Sequence, residues 1–141
     1  MAKPIDVADL RRSPGSVTVL VVDDDQRILN VVAIMLTARG FRVLKSAGPA
    51  DAIRIFEQKS SEIDMLLSDV MMPGMSGPEL NARLRKLKPD LPALFMTGYA
   101  EPNAIPMNVL EKPFRMSDLF ERIAQTLQMA PELNPGSSRS G

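Results

Sequence analysis

The stretch Thr18-Val19-Leu20-Val21-Val22 runs directly into Asp23-Asp24-Asp25. An unbroken β-branched and apolar run of this length, without polar alternation, reads as a strand covered on both faces, as in a parallel sheet. The change to three carboxylates places charge at the strand's carboxyl end. In an open parallel sheet that end is where ligands bind.

The same pattern recurs downstream. Gln26 to Arg39 carries Ile28, Val31, Val32, Met35 and Leu36 at helical spacing, and Gly40 supplies the stop. Phe41 to Lys45 reads as a second strand and Ala50 to Lys59 as a second helix using Ile53 and Phe56. Asp64 to Asp69 is a third apolar strand, again ending in aspartate. Glu79 to Leu87 reads as a helix with Leu80, Leu84 and Leu87 on one side. Its charges, Arg83, Arg85, Lys86 and Lys88, read as its wet face. Leu91 to Thr97 and Asn108 to Glu111 give two more strands. Ser117 to Gln128 gives a last helix with Leu119, Phe120, Ile123 and Leu127 inward. This alternation predicts an α/β fold, a doubly wound five-stranded parallel sheet with helices on both faces.

One connection departs from the pattern. Only ten residues, Gly98 to Met107, link the fourth strand to the fifth, and they include Pro102 and Pro106. Two prolines so placed break a regular helix, so the fourth helix is expected to be shortened or replaced by a loop. Residues 1–16 and 130–141 lack periodic apolar positions and are expected to be an N-terminal tail and a flexible C-terminal tail around one domain at 17–129.

Composition narrows the chemistry. The 141 residues suit one core, and the chain has no Cys and no His. There is therefore no disulfide framework, thiolate nucleophile, imidazole ligand or histidine base. The remaining carboxylates, hydroxyls, lysines and backbone groups favour hard, oxygen-loving metals. With 17 basic and 17 acidic side chains, broad electrostatic capture of nucleic acid or anionic membrane is not expected. No apolar run approaches the ~20 residues that span a bilayer. The N-terminus, with Asp6 and Asp9, lacks a signal-peptide layout, and a cytoplasmic location is the expectation.

Read in order, the strand ends carry Asp23, Asp24 and Asp25, then Asp69, Thr97 and Lys112. Crowded carboxylates repel, so a cation must sit among them, and a divalent metal and the Lys112 ammonium are the candidates. Mg²⁺ suits such a site because it binds through one or two carboxylates and also holds phosphate oxygens. Asp25, directly ahead of Gln26, reads instead as a helix N-cap.

These residues resemble the receiver domain of two-component response regulators. The resemblance rests on Val21-Val22-Asp23-Asp24, on Asp69-Val70-Met71-Met72-Pro73-Gly74-Met75-Ser76-Gly77, on Thr97-Gly98 and on Lys112-Pro113-Phe114. It implies a flavodoxin-like fold with Asp69 as phosphoacceptor. Asp23, Asp24, Asp69 and the Met71 backbone carbonyl would hold Mg²⁺, and Thr97 and Lys112 would contact the phosphoryl group. Gly98 would leave room for the donor, and Pro113 would follow a cis peptide bond. The implied partner is a sensor histidine kinase or histidine phosphotransfer protein, because the chain has no histidine of its own. The protein would catalyse only its own phosphorylation and dephosphorylation, and a phosphorylation-dependent downstream partner would follow. No output domain is expected, since the residues after Ala130 cannot build one.

Two departures from the family pattern stand out. Its aromatic switch residue, three positions before the lysine, is Val109 here, and Tyr99 is the candidate substitute. The stretch from Leu94 to Tyr99 is similar to a subgroup with a Phe-Ala-Thr-Gly-x-Tyr signature, with Met96 in place of Ala. The bulk of Met71 and Tyr99, each two residues past a site residue, leads to the expectation of a long-lived aspartyl phosphate. In the first helix, the inward set above leaves Leu29, Ala33 and Ile34 facing away, and Leu29 and Ile34 are expected to dock the kinase. The alternatives are a Mg²⁺-dependent phosphohydrolase of the haloacid-dehalogenase type and a non-phosphorylated pseudo-receiver. Gln26-Arg27 after the aspartates argues against the former, and the full acidic, Thr and Lys set against the latter.

Overall fold

The computed structural model describes residues 17–98 and 109–128. Along the chain run β1 (Thr18–Val22), α1 (Gln26–Ala38), β2 (Arg42–Ser46), α2 (Pro49–Lys59), β3 (Met65–Asp69), α3 (Gly77–Leu84), β4 (Ala93–Thr97), β5 (Val109–Glu111) and α4 (Met116–Gln128). The strands form one parallel sheet in the order β2-β1-β3-β4-β5. This is the expected doubly wound, flavodoxin-like arrangement. The crossover for which a shortened fourth helix or a loop is expected, Tyr99 and both tails lie outside the described residues. No helix among the described residues is long and apolar enough to cross a membrane.

Strand residues alternate between two apolar layers, as the period of two dictates. Val19, Val21, Met65, Leu67, Leu94 and Met96 face α1 and α4, where they meet Leu29, Leu36, Leu119 and Ile123. Leu20, Val22, Leu66, Ala93 and Phe95 face α2 and α3, where they meet Phe56, Leu80 and Leu84. All five positions of β1, β3 and β4 are buried, which is why their sequences read as continuous apolar runs.

Local chemistry sets the helix ends. Asp25 caps α1, its side chain accepting from the Arg27 N–H at 2.9 Å, and the Arg27 side chain beside it holds this carboxyl below the usual carboxylate range. At the other end Gly40 adopts φ 93°, its N–H donating to Thr37 O and that of Phe41 to Leu36 O, the paired bonds of a Schellman stop.

Several inward and outward assignments change. Leu29 and Ala33 are buried, whereas Val31 and Ile34 are 48% and 67% exposed. At about 100° per residue, Leu29, Val32, Ala33 and Leu36 form one stripe, flanked by the half-buried Ile28 and Met35. Val31 and Ile34 fall outside it. Leu29 therefore belongs to the core and is unavailable for docking. α3 starts at Gly77, because Ser76 and Glu79 form a capping box and Pro78 is tolerated in the first turn. Ending at Leu84, the helix leaves Leu87 beyond it and 55% exposed. Lys88 is not on a wet face either, since its Nζ donates to the carbonyls of Ser60 and Ile63 at 3.0 and 2.6 Å.

The two exchanged positions of α1 should separate in stability measurements. Leu29→Ala is expected to cost about 2–4 kcal/mol in urea unfolding, and Val31→Ala less than about 0.5 kcal/mol.

Candidate functional site

Strand register builds the acidic centre. Val22 pairs with Ser68 across β1 and β3, so the next residues, Asp23 and Asp69, emerge side by side, at about the 4.8 Å spacing of neighbouring strands. Asp24, exposed on the loop, completes a group in which one oxygen from each of Asp23, Asp24 and Asp69 lies within 4.8 Å of the others. Asp23 is fully buried, its Oδ1 accepting from the Asp25 N–H at 2.9 Å.

The lysine arrives from the edge of the sheet. Thr97 pairs with Glu111 across β4 and β5, and the Lys112 N–H continues the ladder by donating to Thr97 O at 2.7 Å. The Lys112 Nζ then lies 3.1 Å from Asp23 Oδ2 and 3.4 Å from Asp69 Oδ1. The Lys112–Pro113 peptide is cis. Thr97 is buried at the end of β4. Gly98, beside it, is exposed, and a Cβ there would meet no atom of the described residues within 4 Å. Met71 is 67% exposed, two residues past Asp69. Val109 is half-buried against the α2 and α3 layer, and its carbonyl accepts from Arg122 Nη1 at 2.7 Å.

Three carboxylates against one ammonium leave surplus negative charge, and its effect falls on Asp69. Burial, followed by the Asp23 charge, pushes the Asp69 carboxyl above its ordinary value, against the opposing pull of Lys112. An all-oxygen donor set with excess negative charge fits a hard divalent cation such as Mg²⁺. Sequence reasoning missed Ser68 and gave Gly77 no role. Ser68 is fully buried and its Oγ donates to the Asp69 carbonyl at 2.9 Å. Only the close packing around β3 reveals either residue.

An aspartate pair and a third aspartate at adjacent strand ends, closed by a lysine before a cis proline, define an α/β module with an acidic centre at the carboxyl end of its parallel sheet. Over residues 19–124 the chain matches the response regulator receiver domain, and it belongs to that family. It is 36% identical over 121 residues to the sensor kinase CckA of Brucella abortus, covering 81% of this chain and 13% of that one. To the response regulator receiver protein CpdR of the same organism it is 30% identical, covering 77% of this chain and 95% of CpdR. The chain spans about a quarter or less of the length of CckA and of the Escherichia coli transcriptional regulatory protein GlrR. Among solved structures, the receiver domain of the hybrid histidine kinase CckA superposes with a TM-score of 0.69 at 37% identity, covering 79% of this chain and 99% of that one. A receiver domain from Clostridium thermocellum gives 0.73 at 28% identity, covering 79% and 94%.

The raised Asp69 carboxyl has a signed consequence for stability without divalent metal. The folded state binds this proton more tightly than the unfolded chain, so the contribution is fully present below 3.8 and lost as pH rises through the raised folded value. Asp69→Asn is therefore expected to melt above wild type at neutral pH in EDTA. The gap should close as pH falls through that window, as followed by circular dichroism.

Proposed function

We propose that this receiver accepts a phosphoryl group on Asp69 from a phosphohistidine of a sensor histidine kinase or histidine phosphotransfer protein, in a Mg²⁺-dependent reaction that switches binding of a downstream protein. The observation that carries this reading is the convergence of Asp23, Asp24 and Asp69 within 4.8 Å, with the Lys112 ammonium 3.4 Å from Asp69. An Asp69 carboxylate oxygen forms the new bond to phosphorus as the P–N bond to the donor imidazole breaks, its electron pair leaving on nitrogen. Bound at the three carboxylates and the Met71 carbonyl, Mg²⁺ would offset charge on the transferring oxygens. Lys112 supplies a second positive charge, the Thr97 hydroxyl is the proposed further contact, and Gly98, exposed and small, is the proposed point of access for the donor. Catalysis is limited to the protein's own phosphorylation and dephosphorylation.

With Leu29 in the core, the docking reading passes to Ile34 and Val31, the exposed apolar pair on α1. Ile34→Asp is expected to slow transfer from a phosphohistidine protein several-fold and to leave labelling by acetyl phosphate unchanged.

Incubation with acetyl phosphate and Mg²⁺, followed by intact mass, tests the main reading. A single phosphoryl adduct is expected on wild type, none on Asp69→Asn and none in EDTA, and equal labelling of all three would refute it. Met71, exposed next to the site, and Tyr99 are proposed to hinder attack by water, so the adduct should persist well beyond seconds after donor removal.

A further inference from the structure

We infer that Ser68 is a positioning residue that sets the metal affinity of this site, an inference that rests on the phosphoacceptor reading. On β3, Ser68 shares its side of the sheet with Leu66, facing the layer built from Leu20, Val22 and Phe95. An apolar residue would serve packing better at such a fully buried position, and a hydroxyl there costs stability unless it is bonded. The Ser68 Oγ is bonded, donating to the Asp69 carbonyl at 2.9 Å.

The start of α3 closes on the same carbonyl and on the hydroxyl together. A Cβ on Gly77, the first residue of α3, would lie 2.4 Å from the Asp69 carbonyl oxygen and 3.1 Å from the Ser68 Oγ. Only glycine lets the helix approach this closely. The Gly77 N–H donates to the next carbonyl, that of Val70, at 2.8 Å. The first turn of α3 that carries Gly77 is itself held in shape by the Ser76 and Glu79 capping box, through bonds of 2.9 and 3.2 Å.

Two consecutive carbonyls, of Asp69 and Val70, are thus each tied to a donor. Because each peptide unit is planar, fixing both orients the backbone entering Met71, whose carbonyl is the proposed backbone ligand. The same bonds fix the backbone that carries the Asp69 carboxylate. Groups that orient a metal's ligands in this way typically control affinity by 10-fold or more. One neutral hydrogen bond, acting through backbone, belongs at the low end of that range.

The test uses the full chain and Mg²⁺ itself, titrated by calorimetry and by the rise in melting temperature. Ser68→Ala is expected to bind Mg²⁺ about 5- to 10-fold more weakly than wild type. Acetyl phosphate labelling should slow at low Mg²⁺ and recover at saturating Mg²⁺. Ser68→Cys keeps the shape of the side chain, slightly enlarged, with a weaker donor and should fall between the two, and it carries the comparison alone if Ser68→Ala does not fold. Ile123→Val, in the opposite layer, controls for stability and should lower the melting temperature without changing Mg²⁺ affinity. Wild-type Mg²⁺ affinity in both Ser68 variants, or an equal loss in Ile123→Val, overturns the inference. Absence of Mg²⁺ binding by wild type would overturn the phosphoacceptor reading, and this inference with it.

Discussion

The Lys112 ammonium, held between Asp23 and Asp69, is the contact that makes the centre of this molecule possible. Asp23 has no exposed surface, and a carboxylate so removed from water is tolerable only with a positive partner and hydrogen bonds to its oxygens. It has the lysine on one oxygen and the Asp25 N–H on the other. Without the lysine, β1 would end in an uncompensated buried charge beside a second carboxylate. With it, the local balance is still negative. Burial first and the neighbouring Asp23 charge second raise the Asp69 carboxyl, and the surplus negative charge is of the kind a divalent cation would offset.

Both apolar layers meet at this point. Asp23 and Asp69 continue the positions of Val19, Val21, Met65 and Leu67, which face α1 and α4. Ser68 continues the position of Leu66, which faces α2 and α3, and the start of α3 abuts its hydroxyl. The site therefore stands on the sheet's crest with one foot in each layer. The Asp23 and Asp69 carboxylates come from one parity, and the Ser68 hydroxyl that donates to the Asp69 carbonyl comes from the other.

Much of this was legible because strand burial leaves a simple trace. Covered on both faces, β1, β3 and β4 appear as apolar runs that stop at Asp23, Asp69 and Thr97, so fold and strand-end residues emerge together. The Asp25 cap and the Gly40 stop follow from single residues whose physics is local. The orientation of α1 was harder to read. Six apolar residues in a row, Val31 to Leu36, satisfy more than one helical stripe, and only docking on the sheet selects Leu29 and Ala33 over Val31. The start of α3 was in principle readable from Ser76 and Glu79 as a capping box. The bonds of Lys88 to Ser60 and Ile63 were not readable, because a lysine near a helix end carries no mark of a carbonyl partner far along the chain.

The cation at the centre comes from the strand that joins the sheet last in sequence. β5 is three residues long, lies at the sheet's edge and delivers Lys112 to a partner 89 positions earlier. On a ribosome, β1, β2, β3 and β4 can pair before this strand emerges, since chains fold from the N-terminus as they are made. Until then the nascent sheet carries its carboxylates without their internal counter-ion, and contacts of such long range close late. The internal counter-ion of the centre thus arrives only with β5, and a product truncated before that strand would expose its carboxylates without the ammonium that offsets them.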